Sequence, residues 1–225
     1  MKKENLAQKV NILRAAVMGA NDGILSVAGI VIGVAGASNN NFAIFISGIA
    51  GMLAGTVSMA MGEYVSVNTQ KDSQRKAIIQ QKASLANDYA YEYEFVKQKY
   101  EAKGIAPALA KKATDEMMAK DALVTTVRER FGFDPHQFTS PYEAAISSMI
   151  SFPIGSLLPL AAITLFPEQY KILMTFVAVI IALALTGYFA AILSKANKRN
   201  GIIRNVISGT LTMLVTYGIG ILVGR

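Results

Sequence analysis

GMLAGTVSMAMGEYVS, residues 51–66, is an apolar stretch that carries one carboxylate, Glu63, near its end. The apolar run around it, 42–67, exceeds the ~20 residues that a helix needs to cross a hydrocarbon core, so it reads as a membrane span. A charged side chain inside a bilayer costs at least ~2.5–3.5 kcal/mol by insertion scales, and one that persists marks a functional position. Met59 stands four residues earlier, on the same helical face and ~6 Å nearer the midplane.

Four further segments have the same character: 12–37, 144–166, 172–193 and 202–223. Of the 225 residues 52% are hydrophobic and only 16% charged, with the apolar residues in blocks. That is the composition of a polytopic membrane protein rather than of a soluble domain. The expected fold is all-α, with five transmembrane helices and a small cytoplasmic helical domain between spans two and three. Residues 1–69 hold the N-terminal segment with spans one and two, 70–140 the cytoplasmic domain, and 141–225 spans three to five. Within 70–140, Lys103-Gly104 breaks one helical run, Pro107 suits the first turn of the next, and Gly132 suits its stop. Ser140-Pro141 reads as a cap and first-turn proline opening span three. The opening MKKENLAQKVNILR leads into a full-length span without the short apolar core and cleavage site of a signal peptide.

The formal charge of +7 would by itself admit nucleic acid as a partner. Its placement argues otherwise. Of the 22 Lys and Arg, 20 lie before span one, in 70–140 or around the connection between spans four and five. This is positive-inside bias, and it puts the N-terminus and residues 70–140 in the cytoplasm and the C-terminus on the opposite side. The absence of cysteine excludes disulfides, zinc–thiolate sites and iron–sulfur clusters. One loop histidine, His136, cannot complete a Ser-His-Asp arrangement, and no GxxxxGK[ST] loop cradles phosphate. Neither an enzyme nor a permanent cofactor is expected.

Among the fifteen acidic residues only Asp22 and Glu63 stand well inside a span. Asp22 is eight residues after Arg14 and Glu63 eight before Lys71, so each lies ~12 Å in from a basic boundary. Spans one and two run in opposite directions, which brings both carboxylates to one level. No Lys or Arg within the spans is expected to neutralise them. Such acids either hold a proton or bind a cation, and alternation between the two states is proton-coupled cation transport. Carboxylate oxygen with thioether sulfur suits Fe2+ better than Ca2+ or Mg2+, and Mn2+ and Co2+ also qualify. The spacings Gly19–Gly23, Gly29–Gly33 and Gly51–Gly55 let backbones approach closely, which points to a tight pair of spans one and two and to a subunit interface.

The blocks RAAVMGANDGILSVAGIVIGV and GMLAGTVSMAMGEYVSVNTQKD resemble the vacuolar iron transporter family of plants, fungi and bacteria, and the chain looks like a bacterial-type member. KDAL, the Asp134-Pro135 turn and SFPIGSLLPL share the resemblance, which covers nearly the whole chain. It implies a five-span homodimer in a lipid bilayer, exchanging cytosolic Fe2+ or Mn2+ for protons along a path at the dimer interface. By the resemblance Asp22, Met59 and Glu63 line that path, and the expected host is a bacterial plasma membrane. The family also carries a glutamate-rich cytoplasmic metal-binding domain. Here the chain departs, with Gln74, Gln81 and Ser84 where relatives are acidic. Glu92, Glu94, Glu116, Met117, Met118 and Asp121 remain as a candidate cytoplasmic metal site, expected to bind weakly. The competing reading is a membrane scaffold whose cytoplasmic helices recruit partners and whose two acids only fix helix packing.

Overall fold

The computed structural model describes residues 6–224; Lys2, Lys3 and Arg225, counted above among the basic residues, lie outside them. The described residues form seven helices and no strand: α1 (Leu6–Ala37), α2 (Asn41–Asn87), α3 (Tyr89–Ala102), α4 (Pro107–Phe131), α5 (Pro141–Leu165), α6 (Lys171–Leu193) and α7 (Lys198–Val223). Five of them, α1, α2, α5, α6 and α7, are long and apolar enough to cross a membrane. The chain divides into two compact units. One holds the chain up to Val65 and from Ser140 onward, the other Ser66–Thr139.

In the first unit α1 packs against α5, α6 and α7. Lipid is as apolar as leucine, so close van der Waals packing and interhelical hydrogen bonds hold such helices together, not the exclusion of water. Along α5 both devices are present. A Cβ on Gly23 would lie 2.1 Å from the Phe152 carbonyl oxygen, and one on Gly155 2.1 Å from that of Ala20. At this separation the Ser147 and Ser156 hydroxyls donate to the α1 carbonyls of Ile12 and Gly23, at 3.0 and 3.3 Å. The apolar core above includes Val27, Val31 and Ile32 of α1, Ile44 of α2, Val179 and Leu183 of α6 and Met213 of α7.

The glycine spacings seat spans one and two against several neighbours, and only Gly51 of α2 meets α1, through Ile30. Gly19 and Gly23 receive α5, Gly29 and Gly33 receive Thr212 and Thr216 of α7, and Gly51 and Gly55 face the side chains of Ile30 and Phe152. Each spacing already has a neighbour within the chain. Small residues mark where a neighbour approaches; they do not specify which neighbour.

The second unit comprises the end of α2 with α3 and α4. Its core holds Val96, Tyr100, Ala110 and Met118. Helix α2 runs beyond its apolar stretch to Asn87, where Asp88 caps α3 by accepting from the Tyr91 N–H at 2.9 Å. Gly104 and Gly132 take φ of 85° and 75°, a left-handed conformation that favours glycine and ends α3 and α4. Pro107 opens α4, and Pro141 opens α5 without a side-chain cap from Ser140.

Gly23→Ala drives a methyl group into backbone that cannot yield, so it should lower stability by about 1–3 kcal/mol or more, as overpacking does. Gly218→Ala, inside α7, adds a Cβ with no atom within 4 Å and should leave stability unchanged or raise it by about 0.5–1 kcal/mol through helix propensity. Thermal unfolding of the two variants in detergent checks the contrast.

Candidate functional site

Successive residues of a helix point about 100° apart, and this explains the Asn21-Asp22-Gly23 block of α1. The Asn21 Oδ1 accepts from the Thr186 hydroxyl of α6 at 3.1 Å and from the Asn205 amide of α7 at 2.9 Å. Gly23 faces α5. Asp22 is left on the remaining side, half-buried, accepting from the Ser26 hydroxyl one turn on at 2.9 Å. Helix α1 runs unbroken through it, so Asp22 neither caps nor kinks the helix.

Helix α2 places Met59 half-buried and Glu63 buried, at 7% exposure. Beside Glu63, Tyr64 meets Tyr142 of α5 with ring centroids 5.4 Å apart. The expectation that no basic side chain neutralises the span acids is corrected here: Nη2 of Arg14 donates to the Glu63 Oε2 at 2.9 Å. Arg14 stands at the edge of span one, but its long, flexible side chain carries a charge well away from its own Cα. The same guanidinium donates to the Asn11 Oδ1 and, at 3.2 Å, to the Met18 Sδ. In the sequence Arg14 reads only as a basic boundary, and Asn11, Met18 and Ser26 carry no signal of their own. The available signal was Arg14 itself, at the end of the span that leads to Asp22.

In the second unit Glu92 is 1% exposed. It accepts from the Ser84 hydroxyl at 2.6 Å and from Arg130 of α4 at 2.8 Å. Burial alone would raise its pKa. The Ser84 hydroxyl, the Arg130 guanidinium and the adjacent Gln81 amide together bring it below the ordinary carboxylate value. The Gln81 Nε2 has no hydrogen-bond partner, so that amide acts on Glu92 through its dipole. With a lowered folded value, the ionised Glu92 contributes stability above the unfolded carboxylate pKa. That contribution is lost as pH falls through the folded value.

The other candidate residues of this unit are held separately. Glu94 pairs with Lys97 at 3.2 Å, Glu116 is exposed, Met117 is 38% exposed and Met118 lies in the core. Asp121 sits at a break in α4, where its Oδ1 accepts from the Val124 N–H at 2.9 Å. His136 donates its backbone N–H to Asp134, which Arg128 also binds. Among the described residues no three His, Cys, Asp or Glu side chains stand together as a ready metal cluster.

Five helices long and apolar enough to cross a membrane, two of them with a carboxylate well inside the apolar stretch, define a multi-pass integral membrane protein. The chain belongs to the VIT family, which it matches over residues 13–221, a family of transporters rather than enzymes. It is 34% identical to a vacuolar iron transporter of Acanthamoeba castellanii over 93% of this chain and 78% of that protein. It is 33% identical to vacuolar iron transporter homolog 2.1 of Arabidopsis thaliana, over 96% and 84% of the two chains. With vacuolar iron transporter homolog 5 of rice, Oryza sativa subsp. japonica, identity is 31% over 96% and 82%.

Arg130→Met leaves the Glu92 charge buried and unpaired. It should destabilise the Ser66–Thr139 unit by about 3–5 kcal/mol, and Glu92→Gln in the same chain should recover much of that loss. Chemical denaturation followed by tyrosine fluorescence reads both.

Proposed function

We propose that the chain moves Fe2+, or Mn2+, out of the cytosol in exchange for protons, along a path at a homodimer interface lined by Asp22, Met59 and Glu63. The observation that carries this reading is Glu63, a carboxylate buried on a membrane-spanning helix and already engaged with a cationic group. A carboxylate must give up its proton to ligate a metal, so metal binding and proton release are linked. Glu63 oxygen and Met59 sulfur, one turn apart on α2, make a mixed donor pair that suits Fe2+ and Mn2+ over Mg2+ or Ca2+. Relatives named as iron transporters support iron as the cargo. The N-terminus and residues 70–140 lie in the cytoplasm by the positive-inside bias.

A different stripe from the glycine pairs supports the dimer. Ala50, Ala54, Ser58 and Gly62 recur every fourth residue on α2, and all four are exposed. Small residues at this spacing let a second helix approach closely. The stripe is adjacent on the helix to the Met59–Glu63 face, so a two-fold axis there brings the acids of both copies to one path.

In proteoliposomes with a pH-sensitive dye inside, Fe2+ or Mn2+ flux should move protons in the opposite direction. Asp22→Asn and Glu63→Gln should each cut that flux by at least about tenfold while the protein stays folded. Metal flux that ignores a pH gradient, or that survives both substitutions, rejects proton-coupled transport through these acids and favours the scaffold reading.

Cysteines placed at Ala54 and Ser58, in a chain without native cysteine, should cross-link between copies in membranes. Cysteine at Leu53, which is 60% exposed and lies about 100° or more around the helix from both, should not. The reverse pattern on gels would move the interface off this stripe.

A further inference from the structure

Three acceptors on two helices converge on the Arg14 guanidinium: the Glu63 Oε2 at 2.9 Å, the Asn11 Oδ1 at 3.0 Å and the Met18 Sδ at 3.2 Å. The Asn11 amide has its oxygen turned to this point although its Nδ2 is then buried without a partner. A carboxylate, an amide oxygen and a thioether around one positive group are also the donors of a borderline divalent metal.

We propose that Asn11, Met18 and Glu63 form a divalent-metal site at the arginine-bearing end of the path, and that Arg14 fills it whenever metal is absent. This inference rests on Glu63 belonging to the path. A dication and a guanidinium on the same carboxylate repel strongly at a few ångströms, so they occupy Glu63 in turn. Arg14 has a route out. Its side chain is 44% exposed, and it lines a cavity of about 340 Å³ with Leu13, Val17, Ala190, Leu193 and Arg204. Arg204 on that wall repels the displaced guanidinium and favours its return once the metal has moved on. One negative charge and two neutral donors hold a dication loosely enough to pass it inward, as conduction through successive sites requires.

The test is equilibrium titration of purified full-length protein with Mn2+ and with the more thiophilic Cd2+, alongside transport kinetics. Arg14→Gln should bind both metals at least about tenfold more tightly and lower the transport KM in proportion, because the competing cation is gone. Arg14→Lys, which keeps the charge, should stay near the unaltered protein. Adding Met18→Leu to Arg14→Gln should reverse part of the gain for Cd2+ and little of it for Mn2+. In the unaltered protein, Mn2+ should speed modification of Arg14 by phenylglyoxal several-fold, as read by mass spectrometry, and this arm needs no variant to fold. Unchanged or weaker binding by a folded Arg14→Gln protein, or modification that metal does not accelerate, overturns the proposal. Glu63→Gln separates the two levels. Loss of metal binding there, with no tightening in Arg14→Gln, removes the Arg14 site and leaves the path reading intact; normal transport by Glu63→Gln removes both.

Discussion

The close approach of α1 to its neighbours is the constraint on which the membrane-spanning unit depends. Lipid supplies no hydrophobic drive between helices, so α1 is held by backbone contacts that a single methyl group would block. Serine, threonine and asparagine bonds cross those contacts. Gly23 meets the Phe152 carbonyl and Gly155 that of Ala20, while Gly220 of α7 meets the Gly33 carbonyl from another side. These contacts fix the rotation of α1 about its axis, and that rotation determines where Asp22 points. The glycines are therefore part of the site although none of them bears a functional group.

Much of this was legible in the sequence because the bilayer imposes simple rules. Apolar runs of the required length became spans, Pro107 and Pro141 opened helices, and Gly104 and Gly132 ended them, each through a backbone property of one residue. The break at Asp88 was hidden, because neither proline nor glycine stands there and the helix restarts on a side-chain cap. The break at Asp121 was hidden in the same way. Partners were less legible than positions: Gly29 and Gly33 announced a close neighbour, yet nothing local to them says that it is α7 rather than α2. The ion pair of Arg14 and Glu63 joins residues 49 apart, and it depends on where a long side chain bends. Counting charges by depth along the chain misses that reach.

The two buried glutamates share a device and differ in how firmly it is held. Glu63 and Glu92 are each neutralised by an arginine from another helix, at 2.9 and 2.8 Å. An isolated ion in a low-dielectric interior is so costly that some positive group must be present, and a guanidinium supplies one with well-directed donors. Arg130 is 27% exposed, with its guanidinium carbon 3.9 Å from the centre of the Phe95 ring. Stacking adds to the ion pair, and displacing Arg130 forfeits both.

Arg14 has no such stack. Its partners are an amide, a thioether and a carboxylate, and nearly half of its side chain is open to the surroundings. The acid in the membrane therefore has a counter-ion that can leave, whereas the acid in the second unit has one that is locked. Gln81 and Ser84 bring no further negative charge beside Glu92, so it needs only one positive charge, and Arg130 provides it from within the chain. A dication brought to Glu92 would have to break a stacked ion pair and would find an amide and a hydroxyl in place of further negative charge. The charge of Glu92 is thus met within the folded chain, and on the proposed transport reading the exchangeable cation falls to Glu63.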